Sequence, residues 1–262
     1  MEKVISRELF EKVGVDTQNS ETVVRPSMSY FQDAWRRLKK NKVAMISMLF
    51  LIFIALMCVF APMIYPVAFD TQDLMNTNQG PTMEHFFGLD DLGRDIFARI
   101  WVGGRVSLTI AIVGALISLV IGVLYGGISG YFGGIVDDIM MRIVEILVGI
   151  PYMIVVIIVS MVLGKGIHSL LIALCLTSWT GLARLVRGQV ISLKSSEYIL
   201  AAKALGTSDF KIIRKHLFPN MLSVIIINTT FSIPGFIFSE AFLSFLGMGI
   251  QPPNTSWGAM AA

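Results

Sequence analysis

The sequence predicts an all-α polytopic membrane protein, and three observations carry that prediction. Charged residues make up 15% of the 262 residues and hydrophobic ones 55%, against roughly 25% charged in a typical soluble domain. The mean hydropathy is +0.72. The charges lie between uncharged runs, each long enough for a helix rising about 1.5 Å per residue to cross a hydrocarbon core about 30 Å thick. The same composition excludes other classes. Apolar content this high rules out a disordered chain, and two cysteines cannot build a disulfide scaffold. Twenty-one basic residues offset by 18 acidic ones leave little net field for nucleic acid.

Residues 1–42 read as an N-terminal tail ending in a basic juxtamembrane segment. Residues 1–27, with mixed charges and no apolar period, are expected to be loose. The first span is 43–65, which starts too far into the chain and runs too long for a cleaved signal segment. A loop follows at 66–105, then a core at 106–262. Its spans are the uncharged runs 106–126, 146–164, 167–183 and 221–239. The run at 146 follows Asp137, Asp138, Arg142 and Glu145. That helix is expected to begin in the headgroup region, with those charges solvated and Arg142 and Glu145 paired on the surface at i, i+3.

Charge asymmetry orients the spans. Residues 1–42 hold nine Lys and Arg, whereas 66–105 hold three beside six acids. The N-terminus is therefore expected in the cytoplasm and 66–105 outside. Alternation then places 184–220, with seven basic residues against Glu197 and Asp209, inside.

The chain carries no catalytic cluster. Cys58 and Cys175 both fall within spans and read as small packing residues, since no further cysteine completes a thiolate site. His85, His168 and His216 lie in three different loops without ligand spacing, so no metal site is expected. There is no G-x-x-x-x-G-K-[ST] phosphate loop. The span centres also lack the ionisable residues of an ion-coupled transporter. Energy for uphill movement would have to come from a partner.

The polar groups at depth are neutral, and Asn228-Thr229-Thr230 is their densest cluster. It either lines an aqueous path or joins helices by hydrogen bonds. Pro234-Gly235 reads as a kink. Glu240, just past the last run, is either part of an outer gate or a solvated interfacial residue.

Residues 188–220 are too patterned for a simple turn. Ser195-Ser196-Glu197 offers a helix start, 198–205 a short alanine-rich helix, and Gly206 a C′ glycine. Thr207-Ser208-Asp209 restarts a second helix over 210–216, and Pro219 opens the last span. The residues alone leave two readings open: a surface that Ala201, Ala202 and Gly206 let a partner approach closely, or an amphipathic interfacial hairpin.

The stretch EYILAAKALGTSDFKIIRKHLFPN (197–220) resembles the EAA loop of ATP-binding-cassette importer permeases. Ala201, Ala202, Gly206 and Pro219 match that pattern in register. Leu200 stands where glutamate is usual, His216 where isoleucine is, and Phe218 where leucine is. FGLDDLGRDIFARIWVGGRVSL (87–108), GISGYFGGIVDDIMMR (127–142) and EAFLSFLGMGIQPPNTSWGAM (240–260) resemble the C-type permease subunit of oligopeptide and dipeptide systems. Nickel permeases share most of these motifs.

The resemblance implies a type I importer permease in a bacterial or archaeal plasma membrane, with 188–220 as the coupling loop. Glu197, Ala201, Ala202, Gly206, Thr207, Asp209 and Pro219 would meet the ATPase. Glu197 would partly replace the missing glutamate. It also implies a second homologous permease, two cytoplasmic ATPase subunits holding ATP and Mg, and an extracytoplasmic peptide-binding protein. This chain would carry no cofactor and be no enzyme itself. The family core would have six spans, so five spans ending at Ala262 are expected to reflect a C-terminal truncation. The same architecture importing nickel, and a non-conducting scaffold that docks an ATPase, are the alternatives.

Overall fold

The computed structural model describes residues 30–261; the expectations for the tail before residue 30 lie outside the described residues. These residues are mostly helical, with no extended element beyond an isolated bridge between Leu89 and Asp95. They fall into two compact units, one through Ile52 and one from Phe53 onward.

In the first unit, α1 (Tyr30–Lys40) has Asp33 in its first turn and Arg37, Lys39 and Lys40 in its last. This arrangement complements the helix dipole. Arg37 also reaches back one turn to Asp33 at 2.8 Å. Asn41 then breaks the helix, and its side-chain oxygen accepts from the Ala44 amide at 3.2 Å, so α2 (Lys42–Ile64) starts on a side-chain cap. Val43, Leu49, Phe50 and Leu51 are all exposed, as suits a helix apolar all round that faces lipid.

In the second unit, Pro62 lies inside α2. It has no N–H for the Cys58 carbonyl one turn back. Arg105 supplies the missing donor: Nε donates to the Cys58 carbonyl at 3.0 Å, and Nη2 adds a bond to the Val59 carbonyl at 2.8 Å.

The long helix α3 (Ile96–Phe132) starts on Asp95, whose Oδ1 accepts from the Ala98 amide at 2.7 Å. The sequence expected a span of 106–126. The helix runs 37 residues, about 55 Å, because no breaker interrupts it before Gly133. Its buried face is built of small residues, including Ser107, Ala111, Gly114, Ala115, Ser118, Gly122, Gly126 and Gly130. Small side chains let helices approach closely in a membrane, where hydrophobic burial gives no driving force between them. α6 (Ile167–Lys194) uses that face most extensively. A Cβ on Gly126 would lie 2.2 Å from the Ala183 carbonyl oxygen. α6 also outruns its expected end at 183, continuing to Lys194.

The run expected as a single span from 146 is instead a bent pair. α4 (Gly134–Gly149) and α5 (Tyr152–Leu163) meet at 83°. Pro151 explains the break: it has no N–H, and its ring holds Ile150 in extended backbone. Among the described residues, four helices are long and apolar enough to cross a membrane, and the bent pair makes a fifth if it counts as one span.

α7 (Glu197–Ala204) is a separate short helix, but the second expected loop helix is not separate. α8 (Asp209–Ile212) passes through a wide π turn, Ile213–Leu217, directly into α9 (Phe218–Phe245). Pro219 sits just after the π turn, at the start of α9, and the helix runs through it without a break. Pro234 lies within α9 without ending it. A short α10 (Trp257–Ala261) follows, with the Ser256 hydroxyl accepting from the Ala259 amide at 3.0 Å.

Candidate functional site

The segment from Ser196 to Pro219 is held from below and open above. Ile199 on α7, Ile212 on α8 and Leu217 in the π turn are fully buried, in one cluster with Tyr131, Val186, Val190, Met221 and Ile225. These anchors tie the segment to α3, α6 and α9. Its other face is exposed. Leu205 is 86% exposed and Phe210 72%, beside Tyr198 and Leu200. Lys211, Arg214 and Lys215 join Phe210 and Pro219 around a surface hollow of about 630 Å³.

Gly206 occupies the position the sequence reserved for it. Its φ is 74°, its amide donates to the Lys203 carbonyl, and the Thr207 amide donates to the Ala202 carbonyl. This paired bonding closes α7 and requires a left-handed residue at Gly206. Ser196 stands at the N-cap position with extended backbone. Its hydroxyl, however, donates to the Leu193 carbonyl rather than accepting from α7. Glu197, Ala201, Gly206, Asp209 and Pro219 are exposed, while Ala202 and Thr207 are half-buried.

Asp209 also touches the helix bundle. The Tyr131 hydroxyl, at the end of α3, donates to its carboxylate. Lys194 donates to the Tyr131 carbonyl. The ammonium groups of Lys194 and Lys203 lie 5.4 and 5.1 Å from the Tyr131 ring centroid. Tyr131 thus joins α3, α6, α7 and α8 at one point. Sequence reasoning did not single it out, because a tyrosine in an apolar run carries no pattern that names its partner.

Nearby, Asp137 corrects an expectation. It is buried, not solvated. Arg187 Nε donates to its Oδ1 at 2.6 Å and Nη2 to its Oδ2 at 2.5 Å, and the Ser129 hydroxyl donates to Oδ1 as well. The 50-residue separation hides this pair from local pattern reading. Arg142 and Glu145 do form the expected surface pair, at 2.8 Å and well exposed.

The expected pathway cluster does not converge on a polar cavity. Asn228 Nδ2 donates to the Val224 carbonyl at 3.0 Å and the Thr230 hydroxyl to the Ile226 carbonyl at 2.8 Å. Both bonds stay within α9. Thr229 and Thr230 border a cavity of about 440 Å³ whose other walls are aliphatic or aromatic, among them Leu119, Val123, Leu222 and Ile225. A different cleft, of about 320 Å³ between α5, α6 and α9, gathers Tyr152, Thr177, Ser178, Ser232 and Ser239.

Glu240 is 0% exposed, which removes the solvated reading. Ser107 donates to one carboxylate oxygen at 3.0 Å; Ser244 and Ser256 donate to the other at 2.8 and 2.6 Å. The Trp257 amide donates to the Ser107 hydroxyl and its indole N–H to the Ile100 carbonyl. Glu240 thereby joins α3, α9 and the segment that leads into α10.

Between α2 and α3, Asp90 organises the 89–95 turn. The Leu92 and Arg94 amides both donate to its Oδ1 at 2.9 Å, and Arg94 Nε donates to Oδ2 at 2.8 Å. Burial pushes its pKa up, but these hydrogen bonds and the Arg94 charge outweigh it and hold the carboxyl below its ordinary value. Tyr65 lies 2.6 Å from the Glu84 carbonyl and 2.9 Å from Asp95.

Residues 118–262 match the profile of the binding-protein-dependent transport system inner membrane component. Residues 29–81 match the N-terminal transmembrane domain of oligopeptide transport permease C. The dipeptide transport system permease protein DppC of Bacillus subtilis is 50% identical over 244 residues, covering 93% of this chain and 76% of that protein. The oligopeptide permease OppC of the same organism is 43% identical over 258 residues, covering 98% and 85%. In fold, the chain is similar to an inward-facing structure of the MetNI methionine ABC transporter. The TM-score is 0.51 at 21% identity, over 58% of this chain and 76% of that one.

Proposed function

The chain belongs to the family of inner-membrane components of binding-protein-dependent transport systems, and on that premise we propose that it is a permease subunit of an ATP-driven peptide importer. In this reading it forms half of the translocation pathway in a bacterial or archaeal plasma membrane, with its N-terminus in the cytoplasm. A second homologous permease completes the pathway. Two cytoplasmic ATPase subunits bind and hydrolyse ATP with Mg, and an extracytoplasmic binding protein delivers the peptide. The dipeptide and oligopeptide permeases among its relatives support peptide over nickel.

One observation carries the coupling assignment: the Ser196–Pro219 segment buries Ile199, Ile212 and Leu217 in the bundle while exposing Ala201, Leu205, Gly206 and Phe210. A segment anchored in this way transmits a push at its outer face to α3, α6 and α9. ATP-driven closure of the ATPase pair would move it and reorient the spans between inward and outward access. Glu197, Ala201, Ala202, Gly206, Thr207, Asp209 and Pro219 form the contact region. Coupling requires that the docked states differ in free energy, and a small, uncharged centre at Ala201 and Gly206 permits close approach in one of them.

The test is Gly206→Asp in the reconstituted complex. Open space surrounds a Cβ at this position, so the substitution need not disturb packing inside the chain. The positive φ does strain any L-residue, so Gly206→Asn, which tolerates that backbone best, serves as the control for strain. Both variants are expected in the membrane. Peptide uptake is expected to fall at least tenfold in the Asp variant, and normal uptake by it would sink the coupling assignment.

A further inference from the structure

Helix α1 (Tyr30–Lys40) is short, and its polarity is sorted by face. Its 11 residues span about 16 Å, too little to cross a hydrocarbon core about 30 Å thick. At about 100° per residue, Ala34, Trp35 and Leu38 fall in one sector, and Arg36, Arg37, Lys39 and Lys40 fall in the opposite one. Over 32–40 every residue is exposed except Asp33 and Leu38, which are half-buried. The apolar side, Trp35 above all, is thus left open to its surroundings.

The charge is one-sided as well. α1 carries four cations and one acid, and Lys42 adds a cation just past its end. The acid does little to neutralise that face: Asp33 pairs with Arg37 at 2.8 Å, but the Arg37 side chain is 80% exposed, where such pairs are weak. The Lys39 ammonium lies 5.2 Å from the Trp35 ring centroid, at the border between the two faces.

The place of α1 in the chain supplies a cover for both faces. α1 ends at Lys40, Asn41 breaks the ladder, and Lys42 starts α2, which is long and apolar enough to cross a membrane. Wherever α2 enters the bilayer, the end of α1 stands at the headgroups, and the break at Asn41 frees the two helices from a common axis. A helix laid along that boundary sinks its apolar sector into the edge of the hydrocarbon and keeps its cations level with the phosphates. Tryptophan is favoured at that depth, because its ring is apolar and its N–H polar. An acidic protein surface would pair with the cations yet leave Trp35 and Leu38 uncovered, whereas the membrane boundary answers both faces at once.

We propose that α1 is a surface helix that binds anionic phospholipid headgroups and so ties the start of α2 to the leaflet it enters from. The proposal rests on α2 crossing the membrane and not on which cargo the complex moves. Each cation near an anionic leaflet gains about fivefold in partition, and the attraction fades within about 10 Å at 0.1 M salt.

The test uses the complete complex in nanodiscs, where both leaflets face solvent and the outcome is independent of which side the N-terminus occupies. With Cys58 and Cys175 replaced by alanine, a cysteine at Ala34, or at Gln32 on the polar side for comparison, carries a nitrobenzoxadiazole label whose reduction by dithionite is timed. The label at 34 is expected to react about fivefold faster in pure phosphatidylcholine than in an equal mixture with phosphatidylglycerol, and the label at 32 to react fast in both. Arg37→Gln, Lys39→Gln and Lys40→Gln together are expected to bring the rate at 34 in the mixture up to that in pure phosphatidylcholine. Equal rates at 34 in the two lipids, or a triple variant that keeps full protection, overturns the proposal. Protection that ignores lipid charge but vanishes when the ATPase subunits are stripped away assigns the face to a protein and overturns it too. Should the cysteine-free chain not assemble, a benzophenone amino acid at Ala34 in the otherwise native chain is illuminated with tritiated phosphatidylglycerol: labelled subunit supports the site, and crosslinks to protein alone overturn it. A complex that moves no peptide yet shows the lipid response leaves this inference standing while the importer reading falls.

Discussion

Asp137 on α4 and Arg187 on α6 share a two-pronged ion pair, 2.6 Å from Nε to Oδ1 and 2.5 Å from Nη2 to Oδ2. It fixes the first half of the bent α4–α5 pair against the helix that packs on α3. Removing one member of a buried pair costs about 3–5 kcal/mol. The Arg187 side chain is about one-third exposed, so water recovers part of that cost and about 1–3 kcal/mol is expected. Arg187→Ala should therefore lower the melting temperature in detergent. Arg187→Lys should recover only part, because an ammonium cannot make both contacts at once. The double variant Asp137→Ala with Arg187→Ala should melt above the single Arg187→Ala, since no carboxylate is then stranded.

Gly126 and Gly127 give a matched pair. A Cβ at 126 meets the Ala183 carbonyl at 2.2 Å, whereas one at 127 meets nothing within 4 Å. Gly126→Ala must push α3 and α6 apart, and overpacking of this kind costs about 1–3 kcal/mol or more. Gly127→Ala should be neutral or slightly stabilising, because alanine favours helix. Thermal unfolding of both variants in detergent checks this, and equal melting temperatures would contradict the helix contact.

The 89–95 turn should be sensitive to acid. The Asp90 carboxyl is held below its ordinary value, so its contribution to the turn is complete above the unfolded value of about 3.9. It is lost as pH falls through the lower, folded value. Protection of the Leu92 and Arg94 amides, taken relative to intrinsic exchange at each pH, should be high at neutral pH and fall below about pH 4. In Asp90→Asn that acid-dependent loss of protection should disappear, because no carboxylate remains at this position to titrate.

Glu240 should hold the segment that leads into α10. Glu240→Ala leaves the hydroxyls of Ser107, Ser244 and Ser256 without their common acceptor, and unpaired buried groups cost about 1–3 kcal/mol each. Glu240→Gln keeps the shape and one good acceptor oxygen, so a smaller loss is expected. A cysteine placed at Ala259 should react with maleimide faster in the Ala variant than in the Gln variant. Equal rates would contradict the clamp.

Features with a local cause were legible in the sequence. The glycine that ends α7, Pro219 in the first turn of α9 and the Arg142–Glu145 pair all lie where their neighbours in sequence dictate. Hydropathy located the four described helices long enough to cross a membrane but underestimated the lengths of α3 and α6, because their ends continue past the uncharged runs as ordinary helix. Composition concealed the bend at Pro151, since an uncharged run reads as one span whether straight or folded. What the sequence could not reveal are pairings across helices. Tyr131 with Asp209, Asp137 with Arg187 and Glu240 with its three serines each depend on how the bundle packs. Asn228-Thr229-Thr230 attracted attention by density, yet helix geometry turns two of those groups onto their own backbone.

The most direct test of the whole account is ATP hydrolysis by the complex reconstituted from this subunit, its second permease, two ATPases and the binding protein. Trialanine is expected to stimulate hydrolysis and to accumulate inside the vesicles, and Gly206→Asp in the same preparation to lower accumulation at least tenfold and remove the stimulation. Hydrolysis that ignores peptide and rises with nickel would contradict it.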